Sequence, residues 1–156
     1  MNRTQTAALM MARVLIALVF LMNGLGIVDQ SVALHELIER GAPANVAPAL
    51  MFVARTVEVV AGASLALGVF PEVAALALIG FLIPATWVGH PFWLESGTSI
   101  YIPQLINFFK NVAIVGGLLF IAAEEEQPSL LTVYSYRSAW LRGALQRRGA
   151  SDHLAG

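Results

Sequence analysis

The side chains of this sequence that could do chemistry stand in apolar company. Arg55 and Glu58 lie inside the otherwise apolar run from Phe52 to Phe70, three residues apart and so on one face of a helix. Gln104, Asn107 and Asn111 recur at helical spacing inside another apolar run, with Lys110 three residues after Asn107. Arg13 and Asn23 belong to an earlier run, and His90 and Trp93 follow a further one. Ionisable groups in such surroundings are costly and rarely left unpaired, so they mark either a binding site or an internal pair.

The donor set is more positive than negative, with Arg55 and Lys110 against Glu58. It suits a guest that offers carbonyl oxygens or negative charge. A quinone headgroup is one such guest: its oxygens want donors, and its reduction takes up protons that Glu58 or His90 could relay. A small anionic molecule is the other. On this reading Glu58 and Lys110 are the candidates for catalytic roles. Arg55, Asn23, His90, Trp93, Asn107, Asn111 and Arg13 are candidates for ligand binding, with Trp87, Phe92, Trp93 and Phe109 as walls. The competing reading needs no guest. Glu58 then pairs with Arg55, Lys110 or Arg13, the amides bridge helices, His90 is a wetted interface residue, and Trp93 is a membrane anchor.

Much other chemistry is excluded. The chain has no cysteine, which rules out thiolate metal sites, thiol redox chemistry and iron–sulfur clusters held by this chain alone. None of its three histidines stands at metal-ligand spacing. No cofactor held covalently or by metal ligands is expected, and no nucleic acid. Nothing in the sequence carries electrons by itself, so redox work would need a quinone, an organic cofactor or a partner.

The elements that must position these residues are membrane helices. Only 12% of the 156 residues are charged and 58% are apolar, with mean hydropathy +0.73. A soluble domain carries roughly 25% charged residues, so the lipid bilayer is the first partner. The expected fold is all-α: an integral membrane four-helix bundle with an amphipathic C-terminal helix. Spans are expected at about 7–28, 49–70, 72–90 and 103–123, making one domain over 1–123. Asp29 to Pro48 links the first two spans. Within it Val32, Leu34, Leu37 and Ile38 form a short amphipathic stretch, ended by Gly41-Ala42-Pro43, that lies in the interface or caps the bundle. Pro84 is expected to kink the third span. Ala61, Gly62, Gly80, Gly116 and Gly117 are the small residues that permit close helix contact. The tail, 124–156, opens with Glu124-Glu125-Glu126. Arg137, Arg142, Arg147 and Arg148 follow, on a pattern suited to an anionic membrane surface.

Lys and Arg placement sets the orientation. The tail holds four arginines and the N-terminus Arg3, while the first linker has only Arg40 and the loop before span four has none. Both termini are therefore expected in the cytoplasm of a bacterial inner (plasma) membrane. The first run also resembles a secretory signal with a cleavage site at Ser31-Val32-Ala33, but a retained span gives the better charge layout. This topology puts Glu58 about 13–15 Å below the outer end of its helix. Arg55, Asn107, Lys110, Asn111, Asn23 and His90 then lie in the outer half or near the midplane, and Arg13 toward the cytoplasmic half.

Several of these residues stand in a familiar order. Arg13 followed by Phe20-Leu-Met-Asn-Gly24-Leu-Gly26, then Gly41-Ala-Pro43, then Glu58 with Gly62 and Gly68, resembles the DoxX family. So do His90-Pro-Phe-Trp93 and the run from Asn107 through Lys110-Asn111 to Gly116-Gly117-Leu-Leu. The resemblance covers about residues 10 to 123, with the tail outside it. It implies a small four-helix inner-membrane protein linked to membrane oxidoreductase systems, including quinone-reducing thiosulfate oxidation and oxidative-stress complexes. Many members have no established activity, and distant relatives act as cargo receptors or assembly chaperones. Two positions depart from the family pattern: Ile27 stands where a Lys is frequent, and Glu72 where a basic residue often follows the turn.

Three functions follow as expectations. The first is a membrane subunit of a quinone-linked oxidoreductase system with a polar pocket in the outer half of the bundle. The second is a non-catalytic scaffold or assembly chaperone holding a membrane or cytoplasmic protein. The third is a small transporter component, for which four spans are few and no inverted repeat is visible, unless the chain forms a homo-oligomer. Whether catalysis takes place in this chain at all is open at this level.

Overall fold

In lipid every backbone N–H and C=O must find a partner inside its own segment, so long apolar runs fold as helices. The computed structural model describes residues 3–28 and 31–124. Its helices are α1 (Arg3–Gly24), α2 (Ser31–Glu39), α3 (Ala47–Leu67), α4 (Pro71–Gly89) and α5 (Tyr101–Ala123), with a single 3-10 turn at Phe92–Leu94. No strand occurs among the described residues. Helices α1, α3, α4 and α5 are each long and apolar enough to cross a bilayer. The expected amphipathic tail helix lies, beyond Glu124, outside the described residues.

Local chemistry sets the helix ends. α1 stops at Gly24, short of the expected 28, because the chain turns back on its own last carbonyls. Leu25 N–H donates to Leu21, Ile27 N–H to Met22, and Gly26 N–H, at φ +74°, to Asn23. α3 stops at Leu67 because Gly68 takes the left-handed conformation (φ +68°). The Gly68 and Val69 N–H groups then cover the carbonyls of Leu65 and Ser64, and the Ser64 hydroxyl donates to the Val69 carbonyl. Phe70 at φ +47° completes a tight turn, and Pro71 opens α4 at a position where its missing N–H costs nothing.

Helix α1 lies against α3, α3 against α4 and α4 against α5, while α1 and α5 meet only sparingly. The bundle thus has two ends. The turn end carries the start of α1, the α3–α4 turn and the end of α5. The loop end carries α2 and the α4–α5 loop. Most of the core lies toward the turn end, where Ala17, Leu65, Leu78, Leu118 and Ile121 are sealed from solvent. At the loop end α2 rests on α3 and α4, with Leu34, Leu37 and Ile38 turned partly inward and His35 and Glu39 outward. The amphipathic stretch therefore caps the bundle, although Val32 stays exposed. Gly41, at φ +100°, ends α2 as its sequence suggests.

The small residues divide. Gly62 packs on Phe20 and Leu21, and Gly117 on Ile16, but Gly80 and Gly116 face open space. The tightest approach is at Gly24. A Cβ there would meet Val59 Cγ2 at 2.7 Å, Glu58 Cβ at 2.9 Å and the Arg55 carbonyl at 3.0 Å. That contact sets the separation of α1 from α3.

Candidate functional site

The polar residues singled out in the sequence fall into three groups. The first lies on the α1–α3 seam at the loop end. Arg55, one turn before Glu58 on α3, reaches across to α1, where its Nε donates to the Gly24 carbonyl at 3.1 Å. This is the last carbonyl of α1, which carries no basic residue of its own in that turn. A cation there also complements the negative end of the helix dipole. The guanidinium lies over Gly26, whose absent Cβ would stand 2.6 Å from Nη2. The Asn23-Gly24-Leu25-Gly26 stretch is therefore a seat for Arg55: one glycine lets α3 approach, the other lets the guanidinium in. Glu58 is 4% exposed, wedged behind Gly24, and both Glu58 and Asn23 make polar interactions of their own.

The second group joins α4 to α5. Asn111 Nδ2 donates to Thr86 Oγ1 at 3.0 Å, and that hydroxyl donates to the Leu82 carbonyl at 2.6 Å. One turn further on, just past the end of α4, His90 Nδ1 meets Gln104 Oε1 at 2.7 Å. These two clasps hold α5 in register and fix which of its faces turns toward α4. They leave His90 Nε2 outside the bond. Above the clasps sits an aromatic cluster centred on Phe92. Its ring is 5.2 Å from Trp93, 5.3 Å from Phe108 and 6.2 Å from Tyr101, and Trp87 lies 4.6 Å from Trp93. Edge-to-face and tilted packing of this kind suits the ring quadrupoles. The expected pocket walls Trp87, Phe92, Trp93 and Phe109 thus make their ring contacts with one another, Phe108 and Tyr101, while Trp87 and Phe109 stay largely exposed.

Lys110 belongs to neither clasp. Its Nζ donates to Asn107 Oδ1 at 3.0 Å, and the side chain is exposed. Asn107, Lys110, Ile114, Gly117 and Ile121 follow alternating spacings of three and four, so they share one face of α5. At the turn end that face is inside the bundle: Gly117 meets Ile16 of α1, and Ile121 is 1% exposed. Three turns higher the same face is open, and Lys110 stands on it. The inward face of α5 is therefore closed at one end and uncovered at the other, with a cation at the uncovered end.

The third position is Arg13 alone. It is fully buried at the turn end, far along α1 from Asn23. The structure brings together Asn23, Arg55 and Glu58 at the α1–α3 seam; His90 and Asn111 lie on the α4–α5 seam below Trp93; Asn107 and Lys110 pair on another face of α5; and Arg13 joins none of these. Sequence reasoning passed over Thr86. Its signal was its place on α4, one turn before His90. It also missed Gly24 and Gly26 as the seat of Arg55, for which a Gly-x-Gly closing an apolar helix, with an arginine in the next span, was the available sign.

Four helices, each long and apolar enough to cross a bilayer, define a multi-pass helical membrane protein. The chain belongs to the DoxX family, which it matches over residues 8–91. It is similar to Inner membrane protein YphA of Escherichia coli (strain K12), with 30% identity over 115 residues, or 73% of this chain and 80% of the relative. No solved structure gives a significant match. With an inner-membrane relative and four spans, the chain is a multi-pass inner-membrane protein. The family match ends at Pro91. It takes in Arg13, Asn23, Arg55, Glu58 and His90 but stops short of α5, so Asn107, Lys110 and Asn111 lie beyond it.

Proposed function

We propose that the protein is a membrane subunit of a quinone-linked oxidoreductase system, and that it receives the headgroup in a cleft between the loop-end halves of α1 and α5. One observation carries this reading: Lys110 is exposed on the face of α5 that meets α1 at Gly117, two turns below, and is buried at Ile121, three turns below. An inward-facing cation at that depth, with Asn107 fixed beside it, is worth its cost in lipid if something occupies the space in front of it.

The residues present fit a quinone headgroup. Lys110 and Asn107 supply donors for one carbonyl oxygen, and His90 Nε2 is a further polar group near the loop end. Reduction to the quinol takes two electrons and two protons. The electrons come from a redox partner protein, and His90 or Glu58 handles protons. Arg55 has a different task, holding the end of α1 that forms one wall. The arginines of the tail and Arg3 favour termini in the cytoplasm, which opens the cleft to the outer half of the bilayer.

The test uses the full chain in mild detergent and a short-chain benzoquinone as probe. Saturable binding is expected, weakened about tenfold or more by Lys110→Gln, since a charge-assisted hydrogen bond is worth about 1.5–3 kcal/mol. Absence of saturable binding, or equal binding by the Lys110→Gln chain, removes the reading.

A second reading has its own support. α5 is the least buried of the spans: 11% of its most apolar window is buried, against 22–33% for the others. A span so little covered offers the widest face for a membrane partner, as a scaffold or assembly chaperone requires. A partner that co-purifies with the parent chain and is lost on placing Trp at Gly116, which faces open space, would favour that reading.

A further inference from the structure

The turn end of the bundle holds a cation that no water reaches. Arg13 is 0% exposed. A guanidinium carries five N–H donors and keeps its charge, so burial among apolar side chains demands acceptors close by. The register of α1 says which these are. Gly24 sits against Glu58 and Val59, and Gly62 against Phe20 and Leu21. Each step toward the start of α1 is thus matched by a step toward the end of α3, and at Arg13 that register reaches the last turn of α3 and Gly68. On the other side Ile16 meets Gly117, so Arg13, one turn on, comes level with the buried Ile121 near the end of α5. Long helical side chains point toward the N-terminus of their own helix, which for α1 is the turn end.

By this register the C-termini of α3 and α5 both come level with one buried arginine. The final carbonyls of a helix lack intrahelical donors and carry partial negative charge, and neither α3 nor α5 has a basic residue in its last turn. Arg13, Leu67, Ile121 and Glu124 each take part in a further interaction. Leu67 and Ile121 have only their backbone groups to offer to a polar one. We propose that Arg13 is a clamp: its guanidinium donates to the C-terminal carbonyls of α3, at Leu67, and of α5, at Ile121, with Glu124 close enough to balance its charge. It is a positioning residue, fixing α1, α3 and α5 at the end from which α1 and α5 part toward Lys110. That last consequence rests on the cleft reading; the clamp itself does not.

The chain has no cysteine, so introduced pairs report helix contacts without background. Ile16→Cys with Gly117→Cys joins α1 to α5 beside the clamp. Leu21→Cys with Gly62→Cys joins α1 to α3 nearer the loop end. In the full chain in mild detergent, Arg13→Met is expected to slow disulfide formation in the first pair at least tenfold and leave the second at the parental rate. Arg13→Lys, with a single compact donor group, should fall between. A parental rate in the first pair, or equal slowing of both, overturns the clamp. If Arg13→Met does not accumulate, Arg13→Gln is read by the same criterion. Benzoquinone binding on the same chains separates the two proposals: failure of the parent to bind removes the cleft and leaves the disulfide rates to decide the clamp.

Discussion

The α1–α3 seam and the α4–α5 seam solve one problem by opposite means. Between α1 and α3 the helices touch almost backbone to backbone, because Gly24 and Gly62 remove the side chains that would hold them apart. Arg55 there serves the chain itself, closing the end of α1. Between α4 and α5 the helices are joined through side chains, by Asn111 to Thr86 and Gln104 to His90, with stacked aromatic rings above. Apolar surface gives helices no drive to associate in lipid, so packing and hydrogen bonds must do so. A glycine seam is rigid and leaves no room for a guest. A side-chain seam can present groups at its margin, and Lys110 stands on such a margin. Arg55, conspicuous in the sequence, is committed to the end of α1, while Lys110 stands exposed.

The largest effect that tests this contrast is at Gly24. Gly24→Val puts branched carbons where even a Cβ comes within 3.0 Å of Val59, Glu58 and the Arg55 carbonyl. A cost of about 3 kcal/mol is expected from overpacking, read as a lowered midpoint in detergent-induced unfolding. If Gly24→Val melts like the parent, α1 and α3 are not in backbone contact and the contrast between seams is lost.

Next comes the Arg55 seat. Arg55→Met removes a charge-assisted bond and a dipole partner, and about 2 kcal/mol of stability should go with it. Gly26→Ala should cost a similar amount, because its Cβ both displaces Nη2 and strains a backbone at φ +74°. The two changes break one arrangement, so the double variant should be clearly less than additive. Additive losses would mean that Gly26 serves the turn alone. Were Arg55 instead a ligand contact, Arg55→Met would weaken benzoquinone binding with the unfolding midpoint unchanged.

How much of this was legible beforehand depends on the kind of signal. Four apolar runs, their order and the break at Gly68 to Pro71 are one-dimensional patterns, and the helices follow them to within a few residues. That Asn111 and Gln104 share a face of α5 is also periodic, and both turn toward α4. Which helix a face meets is not periodic. Arg55 and Glu58 share a face of α3, yet nothing in their spacing says that the Arg55 guanidinium is taken by a carbonyl thirty-one positions earlier. Gly62 and Gly80 read alike in sequence. One is buried against Phe20 and Leu21 while the other faces open space, because α3 has neighbours on both sides and the outer face of α4 has none. Lys110 was picked out by its charge, but its standing on an uncovered inward face needed the sparse meeting of α1 with α5.

A smaller effect is expected on the α4–α5 seam. Thr86→Val keeps the shape of the side chain but leaves the Asn111 amide without its acceptor and the Leu82 carbonyl without its hydroxyl donor. Interhelical hydrogen bonds in membranes average about 0.6 kcal/mol and reach about 1.7, so a loss of about 1 kcal/mol is expected. Benzoquinone affinity should fall with it, because the clasp sets the rotation of α5 that presents Lys110. A fall in stability with unchanged affinity would limit the clasp to packing.

The smallest effect belongs to Gly80→Ala, on the outer face of α4, where an added Cβ meets nothing within 4 Å. In water a mid-helix glycine costs roughly 0.5–1 kcal/mol against alanine through the entropy of the unfolded backbone. In lipid the separated helix is already formed before helices associate, and most of that term drops out. A change within about 0.5 kcal/mol is expected, as for substitutions that touch no packed feature. Gly117→Ala, whose Cβ would meet the flexible tip of Ile16 at 3.0 Å, should cost slightly more by the same unfolding measurement. If Gly80→Ala instead destabilises as much as Thr86→Val, then the outer face of α4 is covered by another helix in the membrane. The α4–α5 seam would then be an internal seam of a larger assembly rather than the margin of a four-span bundle.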